Sequence, residues 1–284
     1  MRTLTLLMAL MLGLLTVPGE ENSSLAKKNG YVINLDRAEK LEKMTYSSLF
    51  SKAGIIVLED TDESLLGKVD KLEVCDNNLY VLEKGRGLFL FNKQGKFIKM
   101  IGRKGKGPGE YIDPDDISID RENKKIYVLD SQTQNVLKYS GNGTFESSFK
   151  LENKGTRSTF IQPFKNALYT NLYTFDKSGK RFLLSKVDVT NGKRISFQFE
   201  ASQYNKGWNE LFSTNQHTFI SGPTGNPKFM QIFMDTIFEI TPKGIKPYIT
   251  LQSKKLVTKE YLETLIAEKF HAMVDRDESN SRMK

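Results

Sequence analysis

Residues 102–145 read GRKGKGPGEYIDPDDISIDRENKKIYVLDSQTQNVLKYSGNGTF. The stretch opens with four glycines and three cations at 102–109. It continues as short segments in which apolar and polar residues alternate, which is the period of a β-strand. Polar turns that contain glycine separate these segments. The stretch therefore predicts a glycine-rich loop followed by several short antiparallel strands.

The glycine-rich loop does not match a nucleotide-phosphate loop. Such a loop places converging backbone N–H groups at the N-terminus of a helix, so a helix must follow it. Here Pro108, Pro114 and the alternating segment ISID at 117–120 follow, and neither lysine of the loop precedes a Ser or Thr. We therefore interpret the glycines as residues that let the chain turn between two strands.

The strand pattern repeats along the chain with a period of about 47 residues. NLYVLEKGRGLFLFNKQGKF at 78–97 aligns with KIYVLDSQTQNVLKYSGNGTF at 125–145. Two weaker copies follow, and their turns contain Gly192 and Gly244. Several short strands in each period of this length are typical of a β-propeller blade. The sequence thus predicts an all-β propeller with about four blades of four strands, at 67–101, 112–151, 158–200 and 211–251.

Residues 102–145 resemble an NHL-type repeat, in which a glycine-rich loop, a proline, a strand, an iyV.D motif and a final G.F follow one another. The matching residues are Pro114, Tyr127, Val128, Asp130, Asn135, Tyr139, Gly143 and Phe145. The wider chain is similar to a family of exported bacterial six-bladed β-propellers, NHL-repeat-like or TolB-like, at 55–74, 101–111 and 235–251. This resemblance implies a six-bladed fold, and it implies little about chemistry because most members have no assigned activity. It also implies that the loop joins an outer strand to the inner strand of the next blade.

The chain divides into four predicted segments. Residues 1–19 place one arginine before an uncharged apolar run, which is typical of a secretory signal peptide. An N-terminal segment at 20–54 and propeller blades at 55–251 follow. Residues 252–284 predict an amphipathic helix that begins after Thr258, and then a polar tail. The apolar face of that helix consists of Leu262, Leu265, Ile266, Phe270 and Met273.

The sequence supplies about four blades, whereas the resembled family has six. We therefore expect this chain to be a C-terminally short form. Strand edges without neighbours tend to pair with other chains. Self-association through open blade edges is the expected consequence.

Charge and cysteine content limit the possible partners. The formal net charge is +8, and the loss of Arg2 with the signal peptide leaves +7. Export disfavours nucleic acid, so a protein or an anionic glycan of the envelope is the expected partner of this basic surface. No transmembrane span is expected in the mature chain. The single cysteine, Cys75, cannot form an internal disulfide and lies in a predicted strand, where it acts as a small hydrophobe.

The candidate ligand-binding residues belong to the glycine-rich loop, on the face where propellers usually present binding loops. They are Arg103, Lys104, Lys106, Glu110 and Tyr111. Asp113, Asp115 and Asp116 form a weak candidate site for Ca²⁺. The calcium-loop pattern fails because Ile117 and Ser118 stand where an acid and a glycine are needed. We therefore interpret the aspartates as turn residues and expect no metal or other cofactor.

Two functions remain open on this sequence. The first is a non-catalytic binding or scaffold propeller of the bacterial envelope, in the periplasm or at the cell surface. It is favoured because the chain has only His217 and His271 and no Gly-x-Ser-x-Gly elbow. The alternative is a metal-dependent six-bladed enzyme of lactonase or lyase type. Such an enzyme needs acids at equivalent inner-strand positions, and Asp116, Asn166 and Asp235 do not align in that way.

Overall fold

The computed structural model describes residues 30–39, 43–153, 155–174, 179–208, 218–221 and 225–264. Within these ranges the fold is all-β, with short strands in four larger sheets and two small ladders. The first strand, β1 (Tyr31–Asn34), precedes a 3₁₀ turn (Leu35–Arg37) and the short helix α1 (Tyr46–Leu49). The described part of the C-terminal segment is helical at 259–264.

The first two larger sheets are antiparallel meanders, which we call blades A and B. Blade A contains β2 (Lys71–Cys75), β3 (Asn78–Glu83), β4 (Gly87–Asn92) and β5 (Phe97–Ile101). A parallel ladder of β6 (Arg103–Lys104) and β7 (Glu110–Tyr111) follows in the connecting loop. Blade B contains β8 (Pro114–Asp120), β9 (Lys125–Asp130), β10 (Asn135–Ser140) and β11 (Phe145–Lys150). The central strands of both blades carry long runs of buried apolar residues because they are covered on two faces.

The third and fourth sheets, blades C and D, repeat this order. A ladder of β12 (Thr156–Arg157) and β15 (Tyr173–Thr174) adjoins blade C, which contains β13 (Ile161–Phe164), β14 (Ala167–Asn171), β16 (Phe182–Asp188) and β17 (Arg194–Glu200). Helix α2 (Ala201–Tyr204) follows β17. Blade D contains β18 (Phe219–Ile220), β19 (Lys228–Phe229), β20 (Thr236–Thr241) and β21 (Gly244–Gln252), and β1 adds to its outer edge in parallel with β21.

The blades stack face to face around their first strands. Strands β2, β8 and β13 lie side by side and form the inner ring of the arc. Apolar clusters fill the A–B, B–C and C–D interfaces, and they contain respectively Leu90 with Leu137, Phe149 with Ile161, and Tyr169 with Phe238. Within the described ranges, no such cluster joins blade D to blade A. The predicted all-β propeller arrangement is confirmed, and the structure shows four blades.

Residues 55–59 precede blade A and contact it in the way that the end of one blade contacts the next. Glu59 donates its backbone N–H to Gly95 O at 2.7 Å and accepts the N–H of Phe97 on its side chain at 2.8 Å. Glu152, just after β11, forms the same two bonds with the turn between β16 and β17. Residues 55–59 therefore contact blade A as the end of β11 contacts blade C. Neither this contact nor strand β1 was predicted from the sequence.

The start of the C-terminal helix agrees with its sequence pattern. Tyr261 donates its backbone N–H to Thr258 Oγ1 at 3.3 Å, so Thr258 is the N-cap. Leu262 is buried as its place on the apolar face predicts. The other residues of that face lie outside the described part, as do the predicted signal peptide, His217 and His271.

Antiparallel strands reverse direction at each turn, so the connections fall on two opposite faces of the arc. The loop face carries the β3–β4 turn (84–86), the A-to-B loop (102–113), the β9–β10 turn (131–134) and the B-to-C loop (151–160). The turn face carries hairpin turns at 76–77, 93–96, 121–124, 141–144, 165–166, 189–193 and 242–243.

Candidate functional site

The A-to-B loop folds around the carboxylate of its own Glu110. Arg103 Nε donates to Glu110 Oε1 at 2.6 Å, and the backbone N–H of Gly107 donates to Oε2 at 2.9 Å. The Gly107 bond first and the Arg103 guanidinium second lower the pKa of Glu110 below its usual value. The glycine-rich loop therefore binds an anion, and that anion is one of its own side chains.

Two glycines let this loop cross between the blades. Gly102 has φ +67° and Gly109 has φ +74°, a region that residues with a Cβ rarely adopt. Gly105 and Gly107 have no such φ, so the expectation that the glycines supply unusual φ values holds for the two ends of the loop only. A Cβ at Gly105 would lie 1.9 Å from Glu110 Oε2, so this glycine makes room for the carboxylate.

Tyr111 anchors the loop to blade A from the inside. Its side chain is 1% exposed, donates its hydroxyl to Ile101 O at 2.9 Å and accepts the N–H of Leu88 at 3.2 Å. Burial raises the pKa of the Tyr111 hydroxyl. Predicted as a ligand contact, Tyr111 is instead placed in the core, where it fixes the backbone under the exposed cations.

Three cations form the crest of the A-to-B loop. Arg103, Lys104 and Lys106 are all exposed to solvent. Arg103 pairs with Glu110, whereas Lys104 and Lys106 form no ion pair with any residue that the structure describes. The structure thus brings together four of the five predicted ligand-binding residues, with the charges of Lys104 and Lys106 uncompensated.

The aspartates after the loop do not converge on one point. Asp113 accepts the backbone N–H of Gly85 at 3.1 Å. Asp115 accepts the Ser131 hydroxyl and lies 3.7 Å from Lys84 Nζ. Across the described ranges, no three His, Cys, Asp or Glu side chains are grouped to hold a metal ion.

Asp116 instead joins the inner strands of three blades. It is 1% exposed, accepts from Lys71 Nζ of blade A at 2.7 Å and accepts the N–H of Ile161 of blade C at 2.8 Å. Glu73 lies 3.9 Å from Lys71 Nζ and 3.2 Å from Arg121. Burial raises the pKa of Glu73. Burial lowers the pKa of Lys71, but attraction from Asp116 and Glu73 outweighs this effect, so the pKa of Lys71 is raised overall. The polar residues at alternate positions of β2, Lys71 and Glu73, were the available signal for this cluster.

A second buried polar cluster lies between blades B and C. Arg194 donates to the hydroxyls of Thr170 (3.1 Å) and Ser185 and to the backbone oxygen of Glu152 (3.0 Å). Ser158 donates to Thr170 at 3.0 Å. Burial lowers the pKa of Arg194 to about 10. Sequence reasoning missed this cluster, although the third copy of the G.F motif has arginine where the first two copies have phenylalanine.

Residues 30–283 match a family model described as a domain of unknown function, DUF4934. The chain belongs to this family. The match begins just before β1 and includes all four blades. No curated protein matches the chain at a significant level.

Solved structures similar to this chain are propeller-like proteins. One is a Bacteroides fragilis NCTC 9343 protein described as exported, with a TM-score of 0.55 and 23% identity over 70% of this chain and 55% of that one. A DUF4221 family member from Bacteroides vulgatus ATCC 8482 has a TM-score of 0.46 and 10% identity over 66% and 58% of the two chains. Virginiamycin B lyase from Staphylococcus aureus has a TM-score of 0.41 and 14% identity over 71% and 60%. This chain spans little more than half the length of the B. fragilis protein, and the likeness to that protein concerns the fold.

The described part of the chain contains no helix that is both long and apolar enough to cross a membrane.

Proposed function

We propose that this DUF4934 protein is a non-catalytic binding propeller of the bacterial cell envelope that holds an acidic partner on its loop face. The observation that carries this proposal is the crest of Arg103, Lys104 and Lys106 on a loop whose backbone is fixed from within. Glu110 and Tyr111 provide that fixation. A fixed backbone lowers the entropy that is lost when a partner binds.

The loop geometry favours a partner that is recognised through its negative charge. Glu110 already accepts the Gly107 N–H group, so an incoming anion meets the ammonium groups of Lys104 and Lys106 rather than the backbone. Exposed charges of this kind speed association and lose effect as salt screens them. An acidic glycan or an acidic protein surface has the required chemistry.

The envelope location is supported by the sequence and by the fold neighbour. Residues 1–19 have the pattern of a signal peptide. The B. fragilis neighbour is described as exported. The NHL-like repeat of blade B also supports the six-bladed type of propeller fold.

Binding to two acidic polymers tests the proposal. Purified protein is passed over immobilised polygalacturonate and over immobilised poly-L-glutamate, at about 50 mM and about 500 mM NaCl to vary screening. We expect salt-sensitive binding to at least one polymer, and about tenfold weaker binding when Lys104→Gln and Lys106→Gln are combined. The matched control combines Lys93→Gln with Lys96→Gln, two exposed lysines of the turn face. Equal losses in the two double variants would contradict the proposal.

A metal-dependent enzyme is the alternative from the sequence, and the geometry supports it less well. Asp113, Asp115 and Asp116 each bind a different backbone N–H, hydroxyl or ammonium group, so a shared ion would have to replace all three sets of partners. The metal content of protein purified without chelators separates the two functions. A stoichiometric divalent ion that is lost in the Asp115→Asn variant would favour the enzyme.

A further inference from the structure

A cleft of about 420 Å³ opens on the turn face between blades A and B. Its buried lining includes Cys75, Tyr80 and Ile119, which are 8%, 3% and 6% exposed. Its accessible lining comes from the ends of three hairpins, at 76–78, 123–125 and 140–142. This cleft lies at the opposite end of the strands from the A-to-B loop, so it is independent of the function proposed above.

Gly141 lines the cleft, and blade C carries a larger residue at the equivalent place in its turn. Gly141 follows β10 directly, and in blade C the residue that follows β16 directly is Val189. Val189 packs against the apolar cluster of the B–C interface. Gly141 has no side chain at this place, where a Cβ would lie 3.3 Å from Lys124 O and 3.8 Å from the Tyr80 hydroxyl oxygen. Tyr80 donates its hydroxyl to Gly141 O at 2.7 Å and so holds the turn against blade A.

The amide groups around the cleft keep free hydrogen-bonding atoms. Asn78 donates through Nδ2 to Tyr80 at 3.3 Å, and Asn123 donates through Nδ2 to Asp120 at 2.8 Å. Asn142 accepts the N–H of Thr144 on Oδ1 at 3.2 Å. Within the described ranges this leaves the Oδ1 atoms of Asn78 and Asn123 as acceptors and Nδ2 of Asn142 as a donor.

The charged groups of the cleft are balanced. Lys124 Nζ lies 3.3 Å from Asp76, and Lys125 pairs with Glu146. The lining therefore carries no large excess of either sign. It offers donors and acceptors side by side over an apolar base.

We infer that this cleft binds a neutral monosaccharide unit, free or at the end of a glycan. The volume is of the size that a small ligand needs. Neighbouring sugar hydroxyls each donate and accept hydrogen bonds, which matches the mixed amide atoms of Asn78, Asn123 and Asn142. The paired charges give no preference for an anionic ligand.

Cys75 provides a reporter because it is the only cysteine of the chain and lines the cleft. Burial raises the pKa of its thiol, so alkylation by N-ethylmaleimide is followed at about pH 9, where more thiolate is present. The probes are N-acetylglucosamine, galactose, mannose and, as the charged comparison, glucuronate. We expect at least one neutral sugar to slow the reaction about tenfold when its concentration reaches ten times its dissociation constant.

Gly141→Val adds to the cleft lining a side chain of the type that blade C carries, and its Cβ would lie 3.3 Å from Lys124 O, so the lining must shift by a few tenths of an ångström. This variant is expected to lose the protection of Cys75 by the sugar, measured as the ratio of rates with and without it. Lys93→Val, at the equivalent turn of blade A, is the matched control and should keep the protection. Melting curves of both variants are recorded with the rates.

A second variant decides the matter if Gly141→Val does not fold. Asn78→Ala removes one free acceptor at the cleft, and it should weaken sugar protection about threefold or more. The inference is overturned if no neutral sugar protects Cys75, if glucuronate alone protects it, or if protection is unchanged in the folded Gly141→Val variant or in Asn78→Ala.

Discussion

The A–B and B–C interfaces use the same backbone arrangement and both contain an apolar cluster, but they differ in one layer of side chains. On the side of blade B that faces blade A, Val128 and Leu137 are fully or almost fully buried and Phe145 packs beside them. The equivalent side chains of blade C, which face blade B, are Thr170, Ser185 and Arg194. One apolar layer of the A–B interface is thus replaced by hydroxyls and a guanidinium in the B–C interface, beside the apolar cluster that contains Phe149 and Ile161.

This difference shows what the propeller backbone requires and what it leaves open. Strand pairing within a blade fixes where each side chain points, whereas the contact between blades needs only a filled and satisfied layer. An apolar layer stabilises by area removed from water. A polar layer contributes little net energy, but each of its groups must find a partner, which makes it directional. We therefore expect the two layers to respond differently to the same substitutions.

Truncation at equivalent positions should give the largest contrast. Leu137→Ala removes a buried side chain from the apolar layer and should lower the free energy of unfolding by about 2–5 kcal/mol. Ser185→Ala removes one hydroxyl that accepts from Arg194 and should cost about 1 kcal/mol. Urea denaturation of both variants measures the two values. Equal losses would show that the layers are not different in kind.

A second contrast is between Gly102 of the A-to-B loop and Gly85 of the β3–β4 turn, both on the loop face. A Cβ at Gly102 would lie 2.6 Å from both Tyr111 Cε1 and Tyr139 OH, in addition to its φ of +67°. Gly85 has a similar φ of +83° and nothing within 4 Å. Gly85→Ala should therefore show only the backbone cost of about 1 kcal/mol, and Gly102→Ala about 2 kcal/mol or more.

The charged crest of the same loop is the control for Gly102→Ala. Gln in place of Arg103, Lys104 and Lys106 should change stability by less than about 0.5 kcal/mol. Melting curves compare the charge variant with the two glycine variants. A charge variant as unstable as Gly102→Ala would contradict a structural role for the glycine.

Alkaline pH should probe the B–C interface through Tyr127. Burial first, and then the charges of Asp120 and Glu146, raise its pKa from 10 to about 12. The folded state holds the Tyr127 proton more tightly than the unfolded state does. The stabilisation that follows is therefore complete below pH 10 and is lost as the pH rises towards 12. Between pH 9 and pH 11, the free energy of unfolding of Tyr127→Phe should therefore fall by about 1 kcal/mol less than that of the wild type. Parallel pH profiles in the two proteins would contradict this assignment.

Local patterns in the sequence predicted much of this fold. Alternation and turn glycines located the strands of blades A to C within a few residues, because both signals act over short distances. The exposed positions of Arg103, Lys104 and Lys106 also followed from their place in a loop. The capping role of Thr258 is equally local.

Contacts between distant segments were not predictable in this way. The pairing of β1 with β21 joins residues more than 200 positions apart, and no local period encodes it. Asp116 was read as a turn residue because its partners, Lys71 and Ile161, come from other blades. The Arg194 layer required an aligned comparison of three repeat copies at one position.

Lysine accessibility on the two faces tests whether an acidic partner binds the loop face. The intact protein is acetylated with an N-hydroxysuccinimide ester, with and without the acidic polymer that it binds, and the reaction of each lysine is followed by mass spectrometry. We expect the polymer to slow acetylation of Lys104 and Lys106 and to leave acetylation of Lys93 and Lys96 unchanged. Equal protection on both faces, or preferential protection of Lys93 and Lys96, would contradict this expectation.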